Sequence, residues 1–126
     1  MSYIARHVLE IVTDSSGDAT AFTPHVDGII QAIRYIDGDF DTGGTITITA
    51  DKSGLDVLAV ANTSADGTYY PRAAAQNTTA GELNYGSATG APIPTGIPVA
   101  GESLKVVVAN GGDSASGTLH FYVEGR

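Results

Sequence analysis

The chain has 126 residues, no cysteine, and six Lys/Arg against fourteen Asp/Glu, for a formal net charge of -8. That length suits one domain burying roughly two-thirds of the surface its unfolded form exposes, and the lack of cysteine excludes disulfides, thiolate metal sites and cysteine nucleophiles and fits folding in a reducing cytosol. The acidic balance argues against nucleic acid or an anionic membrane as a partner, because affinity for phosphates comes largely from Lys and Arg.

The opening Met1-Ser2-Tyr3-Ile4-Ala5-Arg6-His7 has no basic segment followed by an unbroken apolar run, and Glu10 interrupts the one candidate. No signal peptide is expected. No window of 18 apolar residues occurs, so no membrane-spanning helix is expected either. A soluble protein of cytoplasmic origin is the default expectation.

Glycine at 16 positions, with abundant Thr, Ser, Ala, Val and Ile, favours strands and turns over helices. Residues 3–13 alternate as a strand with Ala5, His7, Leu9 and Ile11 on one face and Ile4, Arg6, Val8, Glu10 and Val12 on the other, so that both faces carry apolar residues. Asp14 to Asp18 is turn chemistry. Residues 28–37 form a second strand, with Ile30, Ala32, Arg34 and Ile36 alternating against Ile29, Gln31, Ile33 and Tyr35. Thr45 to Ala50 is the clearest half-buried strand, β-branched at five successive positions with Ile46, Ile48 and Ala50 inward. Leu55 to Asn62 gives another run, and Thr68-Tyr69-Tyr70 begins a strand that Pro71 ends or confines to an edge. Leu104 to Ala109 and Thr118 to Glu124 read as a closing hairpin, with Leu104, Val106 and Val108 facing Leu119, Phe121 and Val123.

Residues 76–98 read as no element. They run through Ala, Thr, Gly and Asn with Pro92, Pro94 and Pro98, a length uncommon for a structureless loop inside a compact domain. Either surface mobility or an extended arm ordered by contact with another subunit accounts for it. Seven or so short strands without a helical period predict an all-β protein, a single antiparallel β-sandwich or jelly-roll-like barrel over residues 1–126 with one long loop.

The search for chemistry returns little. Asp37-Gly38-Asp39-Phe40-Asp41 superficially resembles the start of a calcium loop, but Thr42 and Ile48 stand where the helix–loop–helix pattern needs Gly and a bidentate Glu, so it reads as an acidic turn. His7, His25 and His120 show no local metal spacing. There is no Gly-x-Ser-x-Gly elbow, phosphate-cradling loop or evident carboxylate pair, and no enzyme, metal or cofactor is expected. Tyr69-Tyr70-Pro71-Arg72 is the most distinctive local group, joining two residue types that anchor interfaces. It reads equally well as a strand end capping the core.

The stretches Ser2 to His7, Tyr69 to Arg72, Leu104 to Gly112 and Gly117 to Val123 together resemble small structural proteins encoded beside the major capsid protein in siphophage and prophage genomes. The resemblance implies a decoration or cement protein of a tailed-bacteriophage head, located on the outer capsid surface of the virion and made in the host cytoplasm. It implies the major capsid protein as partner, a homotrimer and no cofactor. Tyr3, Ile4, Arg6, Tyr69, Tyr70, Arg72, Pro92 and Pro94 are the expected interface residues, with residues 1–6 and the 76–98 loop supplying much of the self-association contact. Arg72 is a candidate for bidentate pairing with a partner carboxylate. The alternative is a carbohydrate-binding or adhesion module of a head fibre or tail appendage, using Tyr69, Tyr70 and the long loop.

Overall fold

A computed structural model describes residues 3–74, 76, 78–81 and 94–125. Among these the protein is all-β, with eleven strands: β1 (Tyr3–Val12), β2 (Ala19–Phe22), β3 (Val26–Asp37), β4 (Thr45–Ala50), β5 (Asp56–Ala61), β6 (Gly67–Tyr69), β7 (Ala73–Ala74), β8 (Pro94–Thr95), β9 (Ile97–Glu102), β10 (Leu104–Ala109) and β11 (Ser116–Gly125). All pairings are antiparallel. A five-stranded sheet in the order β1-β11-β3-β6, with β9 also on β3, curls as a half-barrel against a four-stranded sheet in the order β2-β10-β4-β5. The sandwich or jelly-roll-like architecture expected from the strand periodicity is therefore present.

The core lies between the two sheets. Ile46, Ile48, Leu104, Val106 and Val108 from one sheet meet Ile30, Ile33, Tyr35, Leu119, Phe121 and Val123 from the other, all essentially inaccessible to solvent. Each such side chain contributes about 1.5–3 kcal/mol on full burial, which makes this interface the main source of stability. Phe40 closes one end, its ring stacked on Tyr35 with centroids 6.2 Å apart.

Three expectations are corrected. β10 and β11 do not form a hairpin: β10 lies between β2 and β4, and β11 lies between β1 and β3 in the opposite sheet. Their apolar residues do face one another, but across the core. The connection crosses between sheets with its backbone tied to two other turns, Gly111 N–H donating to Gly17 O and Gly111 O accepting from Asp41 N–H. Asn110, Gly112 and Ser114 take positive φ to make the corner.

The second correction is in the 76–98 segment, most of which lies outside the described residues, Pro92 included. Its end is ordered within this chain. Pro94 pairs with Ala74, and β9 adds to β3 with Ile97 and Val99 buried in the core. Pro98 is tolerated there because β9 has β3 as its one partner strand among the described residues, leaving an edge where a missing N–H breaks no ladder bond.

The alternation expected in residues 28–37 also breaks. The register on β11 shifts between Tyr122 and Val123, which oppose Ala32 and Ile30 and leave Gln31 as an extra residue. This bulge puts Ile30, Ile33 and Tyr35 on the same inward face.

Candidate interaction surface

The outward face of the five-stranded sheet is the main unsatisfied surface. β1 points Ile11 into the core, while its even residues point to solvent, with Ile4 at 65%, Val8 at 52% and Val12 at 58% of full exposure. Ile29 and Ile36 of β3 are also exposed. Cross-strand register places Val8 beside His120, His120 beside Arg34 and Arg34 beside Thr68, giving one continuous row from β1 to β6. Arg34 donates to Thr68 Oγ1 at 3.0 Å and lies 3.7 Å from the Asp66 carboxylate. His120 Nδ1 is buried and has no hydrogen-bond partner among the described residues.

The expected interface residues fall into three places. Ile4 and Arg6 are on this outward face and exposed, whereas Tyr3 occupies the opposite face of β1. With Ala5, His7, His25, Val26, Asp27 and Val123, Tyr3 lines a cleft of about 170 Å³. Two of the three histidines thus share one cleft with a carboxylate, while His120 stands on the outward face.

Tyr69, Tyr70 and Arg72 form a corner against β3. Tyr69 packs on the core, Pro71 is buried, and Tyr70 projects at 66% exposure. The Arg72 Nη1 group donates to the carbonyl oxygens of Pro71 at 2.7 Å and of Ile30 and Gln31 at 3.3 Å, and Nη2 donates to Gln31 Oε1 at 3.3 Å. The guanidinium therefore clamps the Pro71–Arg72 corner onto the bulge in β3. Pro94 is exposed on β8, beside the strand that follows this corner.

The acidic turn is engaged in the fold. Asp37 Oδ1 accepts from Phe40 N at 3.1 Å and lies 3.0 Å from Tyr35 Oη, and Asp39 Oδ1 accepts from Ser116 N at 2.6 Å. Among the described residues no group of three or more His, Asp or Glu is disposed to hold a metal ion. A second open groove of about 380 Å³ runs along the edge strand β5, lined by Thr47, Ile48, Asp56, Val57, Leu58 and Ala59.

The importance of Ile29 and Ile36 was not apparent from the sequence, because their direction depends on the Gln31 bulge. The outward Val8 and Val12 had a visible signal in the two-faced apolar pattern of the first strand. No protein-family model matches the chain, and a search of the curated proteins finds no match.

Proposed function

We propose that this chain is a non-enzymatic auxiliary protein of a tailed-bacteriophage capsid, docking on the outer surface of the head with the major capsid protein as its partner and stabilising the lattice. The observation that carries the reading is the outward face of the five-stranded sheet, where Ile4, Val8, Val12, Ile29 and Ile36 stand exposed in a protein otherwise rich in charged and polar turns. These apolar side chains, interspersed with Arg6, Glu10 and Arg34 on the same face, gain when covered by a surface that is complementary in both shape and charge. The resemblance of Ser2 to His7, Tyr69 to Arg72 and the β10 and β11 sequences to capsid-associated proteins supports the same reading. Many weak copies on a repeating lattice stabilise it by mass action, since binding only the assembled shell shifts the equilibrium toward it. Three-fold self-association at three-fold lattice positions belongs to this reading.

The test is co-sedimentation of the purified chain with emptied heads that lack it, followed by heating. Saturable binding and a raised melting temperature of the heads support the reading, and no binding at any salt concentration defeats it. The exposed Tyr70 ring favours the carbohydrate alternative, and glycan-array binding by the free protein in the absence of head binding would select it.

A further inference from the structure

We propose that two copies of this chain pair edge to edge through β1, antiparallel about a two-fold axis at Val8, joining their five-stranded sheets into one continuous sheet. The first ground is the backbone. Thr13 N–H donates to Ala115 O at 2.8 Å, and Thr13 lies opposite Ala115 in the register that pairs Val12 with Ser116. In an antiparallel ladder, hydrogen-bonded and non-bonded pairs alternate. The residues of β1 that exchange bonds with β11 are therefore Ile11, Leu9, His7, Ala5 and Tyr3. The N–H and C=O groups of Ile4, Arg6, Val8, Glu10 and Val12 consequently point to the opposite edge, where among the described residues β1 has no partner strand. A ten-residue edge whose outward donors and acceptors meet no strand ladder among the described residues, with the β1–β2 turn beginning only beyond Val12, where Asp14 N–H donates to Asp18 O, is a template for another strand.

The second ground is the side-chain pattern on those same residues, Ile4, Arg6, Val8, Glu10 and Val12, which is self-complementary about its centre. Antiparallel pairing with Val8 opposite the Val8 of a second copy places Arg6 opposite Glu10, Glu10 opposite Arg6, and Ile4 opposite Val12. Two opposite-charge pairs and the flanking apolar pairs are thus made together, each of a kind that stabilises antiparallel sheets. The register that matches the charges also puts the outward backbone groups in hydrogen-bonded pairs, because both involve the even residues. A one-residue slip would lose both at once. An isologous contact of this kind closes after two copies and so satisfies both edges without propagating. It leaves the outward face free for another partner and does not depend on the capsid reading. It coexists with a three-fold contact made elsewhere on the chain, in which case it joins copies of neighbouring trimers.

The experiment is a charge-swap matrix on the full chain, read by sedimentation equilibrium and native mass spectrometry. Arg6→Glu or Glu10→Arg alone sets like charges opposite each other twice, and each should weaken the two-fold association about tenfold or more. The double variant restores opposite charges in both pairs and should return to within about threefold of the wild type. Val8→Pro removes an outward N–H but no bond to β11, so it should abolish pairing with the β-type circular dichroism kept. Amide exchange gives a check without substitution. The amides of Arg6, Val8 and Glu10 should be protected only at high protein concentration, and those of Ala5, His7 and Leu9 at every concentration. A chain that stays monomeric to about 1 mM, an association indifferent to the single charge reversals, or even-numbered amides that exchange fast at all concentrations would overturn the proposal.

Discussion

Glu102, at the end of β9, accepts hydrogen bonds on Oε1 from the backbone amides of both Lys52 and Ser53, at 2.7 and 2.9 Å. The carboxylate therefore caps the turn between β4 and β5 from a strand of the other sheet. The bond from the Ser53 amide is the main reason its carboxyl is held below the ordinary value of 4.5, against the opposing effect of burial, with the Lys52 amide and the nearby His25 helping. A lowered folded pKa means that the stabilisation is complete above the unfolded value and is lost as the pH falls through the folded one. Urea midpoints measured from pH 7 down to pH 3 should show wild type losing stability below about pH 4.5, and Glu102→Gln losing less over the same range. Parallel curves for the two proteins would show that the carboxylate charge has no such role.

Tyr35 supplies the opposite case. Its hydroxyl donates to Thr63 O at 2.6 Å and lies 3.0 Å from Asp37 Oδ1. Burial, followed by the bond to Asp37 and its charge, pushes the phenol well above its ordinary value of 10.0. A raised folded pKa gives stability that is whole below the unfolded pKa and lost as the pH climbs past it. Tyr35→Phe should cost about 1–2 kcal/mol at pH 7, since the Thr63 carbonyl loses its partner. It should also flatten the loss of stability above about pH 10, as followed by tyrosinate absorbance together with circular dichroism.

Side-chain period was enough to locate Thr45 to Ala50, because its apolar Ile46, Ile48 and Ala50 share one face, and it located the first strand as well, although apolar residues on both faces there left the direction of burial open. It could not assign Leu104 to Ala109 and Ser116 to Gly125 to different sheets. Both have one fully apolar face, and which sheet each joins depends on backbone bonds between distant turns, such as Gly111 to Gly17. β2, only four residues long, carries too few apolar positions to show a period. The outward apolar face was half legible: β1 displayed it, while β3 concealed it behind one extra residue, Gln31. The role of Arg72 was hidden for the same reason, since its acceptors Ile30 O and Gln31 O are presented by that bulge.

Gly28 marks a place where two strands approach too closely for any side chain. Its φ is 135°, and a Cβ built there would overlap the carbonyl oxygen of Glu124 on β11. That oxygen belongs to a central strand held on both sides, so it has little room to retreat. Gly28→Ala should therefore destabilise the fold by about 3 kcal/mol or more, through the combined strain and overlap. Chemical denaturation against wild type checks this, and a change under about 1 kcal/mol would mean that β3 and β11 separate easily here.

Arg72 separates a structural role from a docking role. Its guanidinium holds the Pro71–Arg72 corner through carbonyls of its own chain, but the residue as a whole is exposed, so each bond competes with water and the net value is modest. Arg72→Ala should cost about 0.5–1.5 kcal/mol in chemical denaturation, and Arg72→Lys should recover part of it, because a point charge reaches one carbonyl where the planar fork reaches several. The same variants bound to emptied heads test the partner contact. With its Nη groups already committed to β3, Arg72 should contribute little there, and occupancy of Arg72→Ala should match wild type once the folded fraction is equalised. A loss of occupancy corresponding to about 2–5 kcal/mol, steepest at low salt, would instead show that the guanidinium leaves β3 to pair with a desolvated carboxylate on the partner.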